Sequence, residues 1–203
     1  MSELASSTDS TARPPRLVVV TDRTQAAGPL PAVVAAAVAH GVRAVLLRDK
    51  DLPAPERRAL AADLRAVLDA VGGLLVWGGA AGAPDGVPVH LAAADPLPAV
   101  RPPLLGRSCH SAAELARAAA EGCDWVFLSP VFPTASKPGY GPALGLDGLA
   151  ALVPGAPPVL ALGGVRPDDV AGCRAAGAHG VAVMGPAMRD PSVVRRYLTA
   201  LAA

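Results

Sequence analysis

Ser129, Thr134, Ser136 and Lys137 crowd into one stretch, CDWVFLSPVFPTASKPGYGPALG, directly after the apolar run Trp125–Leu128. Three hydroxyls and one fixed positive charge can all donate hydrogen bonds to an anion. On a loop rich in Gly and Pro, that is the chemistry of a phosphate cradle. Gly163-Gly164 and Met184-Gly185-Pro186 follow two later apolar runs. Each lets backbone approach a phosphate and aim N–H groups at it from a short helix start. A tight turn is the plainer reading of Gly163-Gly164 alone; its place after a strand favours the phosphate loop.

Arg48 and Lys50 lie two apart, so both can leave a strand toward one face. With Lys137 they make three cations around one opening, enough for a diphosphate, although a solvated rim charge is the simpler role for any one of them. Of 18 basic residues only Lys50 and Lys137 are lysines. Both fall just after predicted strands, where a compact, flexible ammonium has a use that arginine does not serve. His90 ends another apolar run, and Asp95 follows five residues on. Asp95 reads equally as a Mg²⁺ ligand beside a diphosphate or as the cap of the next helix. Ser108 adds a hydroxyl after a fifth run, while His110 reads as a helix-start residue and His40 and His179 as structural.

These groups need a frame that brings strand ends together. Apolar runs at Leu17–Thr21, Ala44–Arg48, Leu74–Trp77, Val87–His90, Leu104–Arg107, Trp125–Leu128, Val159–Ala161 and Gly180–Met184 predict eight strands. Helical patterns fall between them at Pro29–His40, Pro53–Val71, Asp95–Val100, Ser111–Glu121, Leu146–Leu152, Pro167–Ala176 and Ser192–Leu201. Ser111 three residues before Glu114 predicts a capping box, and Pro167 ahead of Asp168 and Asp169 marks a first helical turn. The third βα unit is short, because AGAPDG leaves no room for a helix. The alternation predicts an α/β fold, a compact (β/α)8 TIM barrel, with a doubly wound open sheet as the rival. In a barrel the chemistry sits at the C-terminal ends of the strands, where every candidate residue falls.

Composition narrows the function. Residues 1–15 are small and polar and read as a disordered leader, with 16–203 as a single barrel domain. Hydrophobic residues make up 52% of the chain. The apolar runs nevertheless reach only about five residues, against roughly 20 for a bilayer span, so a cytoplasmic location is expected. A net charge of +1 and 3% aromatics argue against nucleic acid and against an anionic membrane. The expected partners are small-molecule phosphates, with a homo-oligomer left open. The three cysteines, without CxxC spacing, read as buried thiols.

The ordered set VVVTDR, GVRAVLLRDK, GVPVHL with Asp95, GRSCHSAAELARAAAEGCDWVFLSPVFPTASK, PVLALGGV and AGAHGVAVMG resembles the thiamine phosphate synthases and their TenI-like thiazole tautomerase relatives. The resemblance implies a barrel that joins an aminopyrimidine methyl diphosphate to a thiazole phosphate, releases diphosphate and uses Mg²⁺. It further implies that Arg48, Lys50 and Lys137 contact the diphosphate, with Asp95 on the metal. Ser108 and His90 then lie at the pyrimidine, and Thr134, Ser136 and Gly164 at the thiazole phosphate. Three departures stand out. Gly78 and Gly79 occupy the positions of the family's Asn-Asp after strand three, Leu46 that of a Gln, and Gly185 that of a Ser. Asp85 is a candidate replacement carboxylate. A tautomerase and a non-catalytic phosphate-binding barrel are the alternatives; Pro130 stands where the tautomerase has its catalytic His, which favours the synthase.

Overall fold

The computed structural model describes residues 14–134 and 142–203. Eight parallel strands close into a barrel in sequence order: β1 (Leu17–Val20), β2 (Ala44–Leu47), β3 (Leu74–Gly78), β4 (Val89–Leu91), β5 (Leu105–Cys109), β6 (Trp125–Leu128), β7 (Val159–Ala161) and β8 (Gly180–Val183). β1 closes the ring on β8 through Leu17↔Val181, Val18↔Ala182 and Val19↔Val183. The open sheet is thereby excluded.

Strand residues alternate between two apolar layers, as a period of two requires. Val18, Val20, Leu46, Val76, Trp125, Phe127, Leu160 and Ala182 fill the barrel interior as one cluster. The alternate positions, such as Val19, Leu47, Trp77, Leu105 and Val181, join the larger cluster beneath the helices. Both faces are covered, which is why the strands read as continuous Val/Leu runs.

The helices are α1 (Leu30–Ala39), α2 (Ala54–Asp69), α3 (Ala112–Ala120), α4 (Gly145–Leu152), α5 (Val170–Ala175), α6 (Gly185–Arg189) and α7 (Val194–Ala202). Pro31 and Pro55 sit in the first turns of α1 and α2, where a missing N–H costs nothing. Ser111 Oγ accepts from Glu114 N at 3.3 Å, the predicted half of the capping box. The Glu114 carboxylate turns one residue further back and accepts the His110 N–H. Among the described residues no helix is long and apolar enough to cross a membrane.

The predicted helix at Asp95–Val100 does not form. Arg107, fully buried on β5, takes the carbonyls of Ala92 at 3.0 Å, Ala93 at 3.1 Å and Asp95 at 2.8 Å. Arg117 of α3 reaches Ala93 O and Asp95 O from outside, at 3.2 Å each. These bonds hold the carbonyls in a turn rather than a helical array, and Pro96 and Pro98 remove donors from the same segment. Neither β3 nor β4 is followed by a helix. The five-residue α6 is not among the predicted helical patterns, although Met184-Gly185-Pro186 reads as a short helix start; Pro186 lies in its first turn.

The buried-thiol reading holds. Cys109, Cys123 and Cys173 are all free and buried. Burial pushes Cys109 up to about 12 and Cys173 up to about 11, which leaves the thiols unreactive at neutral pH. His179 is structural as expected, its Nε2 donating to Pro14 O at 2.7 Å.

Candidate active site

The C-terminal ends of the strands carry the described candidate residues to one rim. Thr21, just past β1, donates its hydroxyl to Asp49 Oδ2 at 2.5 Å and accepts the Arg48 N–H at 2.9 Å. Asp49, nearly fully buried, also accepts Arg23 N at 2.8 Å. This knot ties the first two loops together and fixes the backbone from which Arg48 and Lys50 depart.

The two cations do not converge on one point. Arg48 Nη1 lies 3.7 Å from Asp22 Oδ2 on the first loop. Lys50 Nζ lies 3.6 Å from Asp95 Oδ2 on the fourth. Burial alone would raise the Asp22 carboxyl. Hydrogen bonds from Thr24 and Gln25 and the Arg48 charge outweigh that and hold it below the ordinary carboxylate range. Gln25 continues the chain of contacts, accepting from Arg189 of α6 at 2.9 Å. Arg189 thus adds a cation beside the eighth loop that the sequence reading missed.

Asp95 does not cap a helix; its Oδ2 accepts the Ala92 N–H at 2.8 Å and closes a turn. A Cβ on Gly79 would lie 3.0 Å from Lys50 Nζ and 3.6 Å from Asp95 Oδ2. The position that the resemblance assigns to a second carboxylate therefore abuts this ion pair. Among the described residues no three His, Cys, Asp or Glu side chains cluster as a ready-made metal cage. Asp85, the candidate replacement, belongs to no such group. One partly exposed carboxylate nonetheless suits Mg²⁺, which takes one or two protein oxygens and completes its shell with substrate phosphate and water.

Below Gly78 the structure holds a group that no local pattern signalled. Arg57 of α2 is buried, with Nη2 donating to Leu47 O at 2.8 Å and Gly78 O at 2.7 Å. Its guanidinium lies 3.9 Å from the centroid of the Trp77 ring. A Cβ on Gly78 would come within 3.4 Å of that guanidinium and 2.8 Å of Leu47 O. Arg57, Trp77, Gly79, Lys50, Asp95 and Leu97 line a cleft of about 680 Å³ that opens where the two helices are absent.

His90 is buried at the end of β4, with Nε2 3.0 Å from Ser108 Oγ on β5. Burial, aided by the Lys50 and Arg107 charges, pushes its pKa down to about 3. The unfolded chain takes up a proton near pH 6.5 and the folded one does not, so stability falls as the medium is acidified below 6.5. This one group is expected to make folding about 1 kcal/mol weaker at pH 5.5 than at pH 7.5. Urea unfolding of the wild type and His90→Gln at both values checks it: a pH response equal in the two proteins refutes the assignment.

Gly163 and Gly164, after β7, both have positive φ, 90° and 67°. Side chains there would also run into the backbone at Pro130 and Phe132. Close packing against the sixth loop alone accounts for both glycines. Thr134 is half-buried on that loop, and Gly185 opens α6. Ser136 and Lys137 lie outside the described residues. Leu46, in the place of the family's Gln, belongs to the apolar interior beside Trp125 and Phe127.

Known proteins resemble this chain in sequence and in fold. The profile of the family described as thiamine monophosphate synthase matches residues 17–186. A putative thiamine-phosphate synthase of Geobacter sulfurreducens is 42% identical over 200 residues, 92% of each chain. The thiamine-phosphate synthase of Methanoculleus marisnigri is 40% identical over 191 residues, 87% of this chain and 89% of that one. Among solved structures, thiamine phosphate pyrophosphorylase from Pyrococcus furiosus superposes with a TM-score of 0.78 at 26% identity, covering 92% of this chain and 95% of that chain. With its eight-stranded barrel and its Arg48, Lys50, Asp95 and Ser108 at the strand ends, the chain belongs to the thiamine monophosphate synthase family.

Proposed function

We propose that this barrel joins an aminopyrimidine methyl diphosphate to a thiazole phosphate and releases diphosphate, as a transferase of thiamine biosynthesis. The observation that carries the reading is Lys50. It is one of two lysines in the chain, and its ammonium stands on the rim beside Asp95 and Gly79.

In this reading Arg48 and Lys50 neutralise the diphosphate as it departs, which lowers the barrier because they are already in place when charge develops. Lys137 joins them from the sixth loop. His90 and Ser108 orient the pyrimidine. Thr134, Ser136, Gly163, Gly164 and Gly185 hold the thiazole phosphate so that the ring nitrogen meets the carbon losing diphosphate. Mg²⁺ would be held by Asp95 and the substrate's own phosphates, and supplies further charge neutralisation there. A cytoplasmic enzyme acting on free small molecules fits this chemistry.

Purified protein given both substrates and Mg²⁺ is expected to release diphosphate and form one equivalent of the joined product. No diphosphate, together with a melting temperature still raised by thiazole phosphate, would leave only a phosphate-binding barrel. Conversion of the thiazole tautomer without pyrimidine would mark a tautomerase instead.

A further inference from the structure

His90, Gly106 and Trp125 stand side by side in the barrel wall. Register pairs His90 with Gly106 and Gly106 with Trp125, so all three point to one face. A Cβ on Gly106 would collide with the Trp125 indole and with His90 Nδ1. Through the space left by the missing side chain, the indole Nε1 reaches His90 Nδ1 at 3.1 Å. Phe127 packs against the imidazole, ring centroids 4.0 Å apart.

An indole N–H can only donate. Nδ1 of His90 is therefore the acceptor and carries no proton, which excludes both the imidazolium and the Nδ1–H tautomer. The ring proton sits on Nε2, 3.0 Å from Ser108 Oγ. Nε2–H donates to that oxygen, so the Ser108 hydroxyl cannot spend its own proton on His90. His90 and Trp125 are buried, whereas Ser108 is partly exposed.

We propose that Trp125 and His90 are positioning residues that hold Ser108 as an obligate hydrogen-bond donor toward an acceptor atom of the diphosphate-bearing substrate. The site then selects an acceptor such as an unprotonated ring nitrogen or a phosphoryl oxygen at that spot and rejects an N–H. Two unpaired donors facing each other would leave one buried and unsatisfied. The assignment of the ligand rests on the synthase reading, but the state of the relay does not.

The first measurement is the ¹⁵N–¹H correlation spectrum of the ligand-free protein at pH 7, with His90 resonances identified by their loss in His90→Gln. The Nε2–H tautomer is expected. His90 as Nδ1–H, or doubly protonated, overturns the proposal whatever the protein turns over, and this test needs no relay variant to fold. The second is a double-mutant cycle on diphosphate release. Trp125→Phe and Ser108→Ala are each expected to lower kcat about tenfold, the effect of one hydrogen bond made in the transition state. The double variant should fall no further than Ser108→Ala alone, since both changes remove the same donor. Losses that multiply overturn the relay. If the wild type releases no diphosphate, the synthase reading and the ligand assignment fail together, while the spectrum still decides the state of the relay.

Discussion

Lys50→Ala is expected to lower kcat for diphosphate release about 100-fold while leaving the fold intact, the scale of removing one preorganised electrostatic contact from a transition state. The side chain is 45% exposed and its partner Asp95 is 3.6 Å away. An ion pair so open to water contributes little to stability, about 0–1 kcal/mol. Rate and stability should therefore separate: a large loss of turnover with a melting temperature within about 3 °C of wild type. Lys50→Arg is not expected to restore the rate. A Cβ on Gly79 would lie 3.0 Å from the ammonium and 3.1 Å from its Cε, so the end of this side chain is held close against the backbone of the third loop. A planar guanidinium needs more room and a different geometry. Steady-state kinetics beside thermal unfolding decides the matter, and a Lys50→Ala enzyme within threefold of wild type would remove Lys50 from the reaction.

Arg107→Met should have the larger effect on folding, about 3 kcal/mol or more. The guanidinium is fully buried, donates to three carbonyls of the fourth loop and lies 2.7 Å from Glu121 Oε2. Methionine fills much of the volume but removes the buried donor that ties those carbonyls to β5, leaving Ala93 O and Asp95 O only the partly exposed Arg117 and Ala92 O only the Asp95 N–H. It also strips one charge from Glu121, which retains Arg117 at 2.7 Å. For a domain of this size the melting temperature should drop by about 6–12 °C. Turnover should fall as well, because the loop that loses its anchor carries Asp95. Arg107→Met/Glu121→Gln is expected to recover part of the stability, since the double change no longer leaves a poorly paired buried carboxylate. A urea midpoint corresponding to less than 1 kcal/mol of loss would show that the prolines of the fourth loop hold it without Arg107.

Much of the barrel was legible because its signals are local. Trp125–Leu128 and Val159–Ala161 are strands with the bounds expected of them, and Ser111 caps α3 by the predicted bond. The short third unit was visible in AGAPDG, and the strand-end position of the described candidate residues followed from the alternation. The failures share one cause. Asp95 looks like a helix cap within its own segment, yet the donors that hold this segment in its turn come from Arg107 and Arg117, more than ten residues along the chain. Arg57 looks like one more charge on the surface of an amphipathic helix. Only the packing of α2 on β2 and β3 carries it under Gly78 and over Trp77.

Residue order by itself determined the class of fold, the rim on which chemistry can occur and the cations available to an anion, because period, turn residues and charge are properties of short windows. The tertiary structure decided which partner each charge takes: Arg48 with Asp22, Lys50 with Asp95 and Arg107 with the fourth loop. It also decided the protonated nitrogen of His90, since that depends on a tryptophan two strands away across a glycine. Hydrogen bonds and ion pairs act over a few ångströms, and only barrel closure brings residues so distant in sequence within that range.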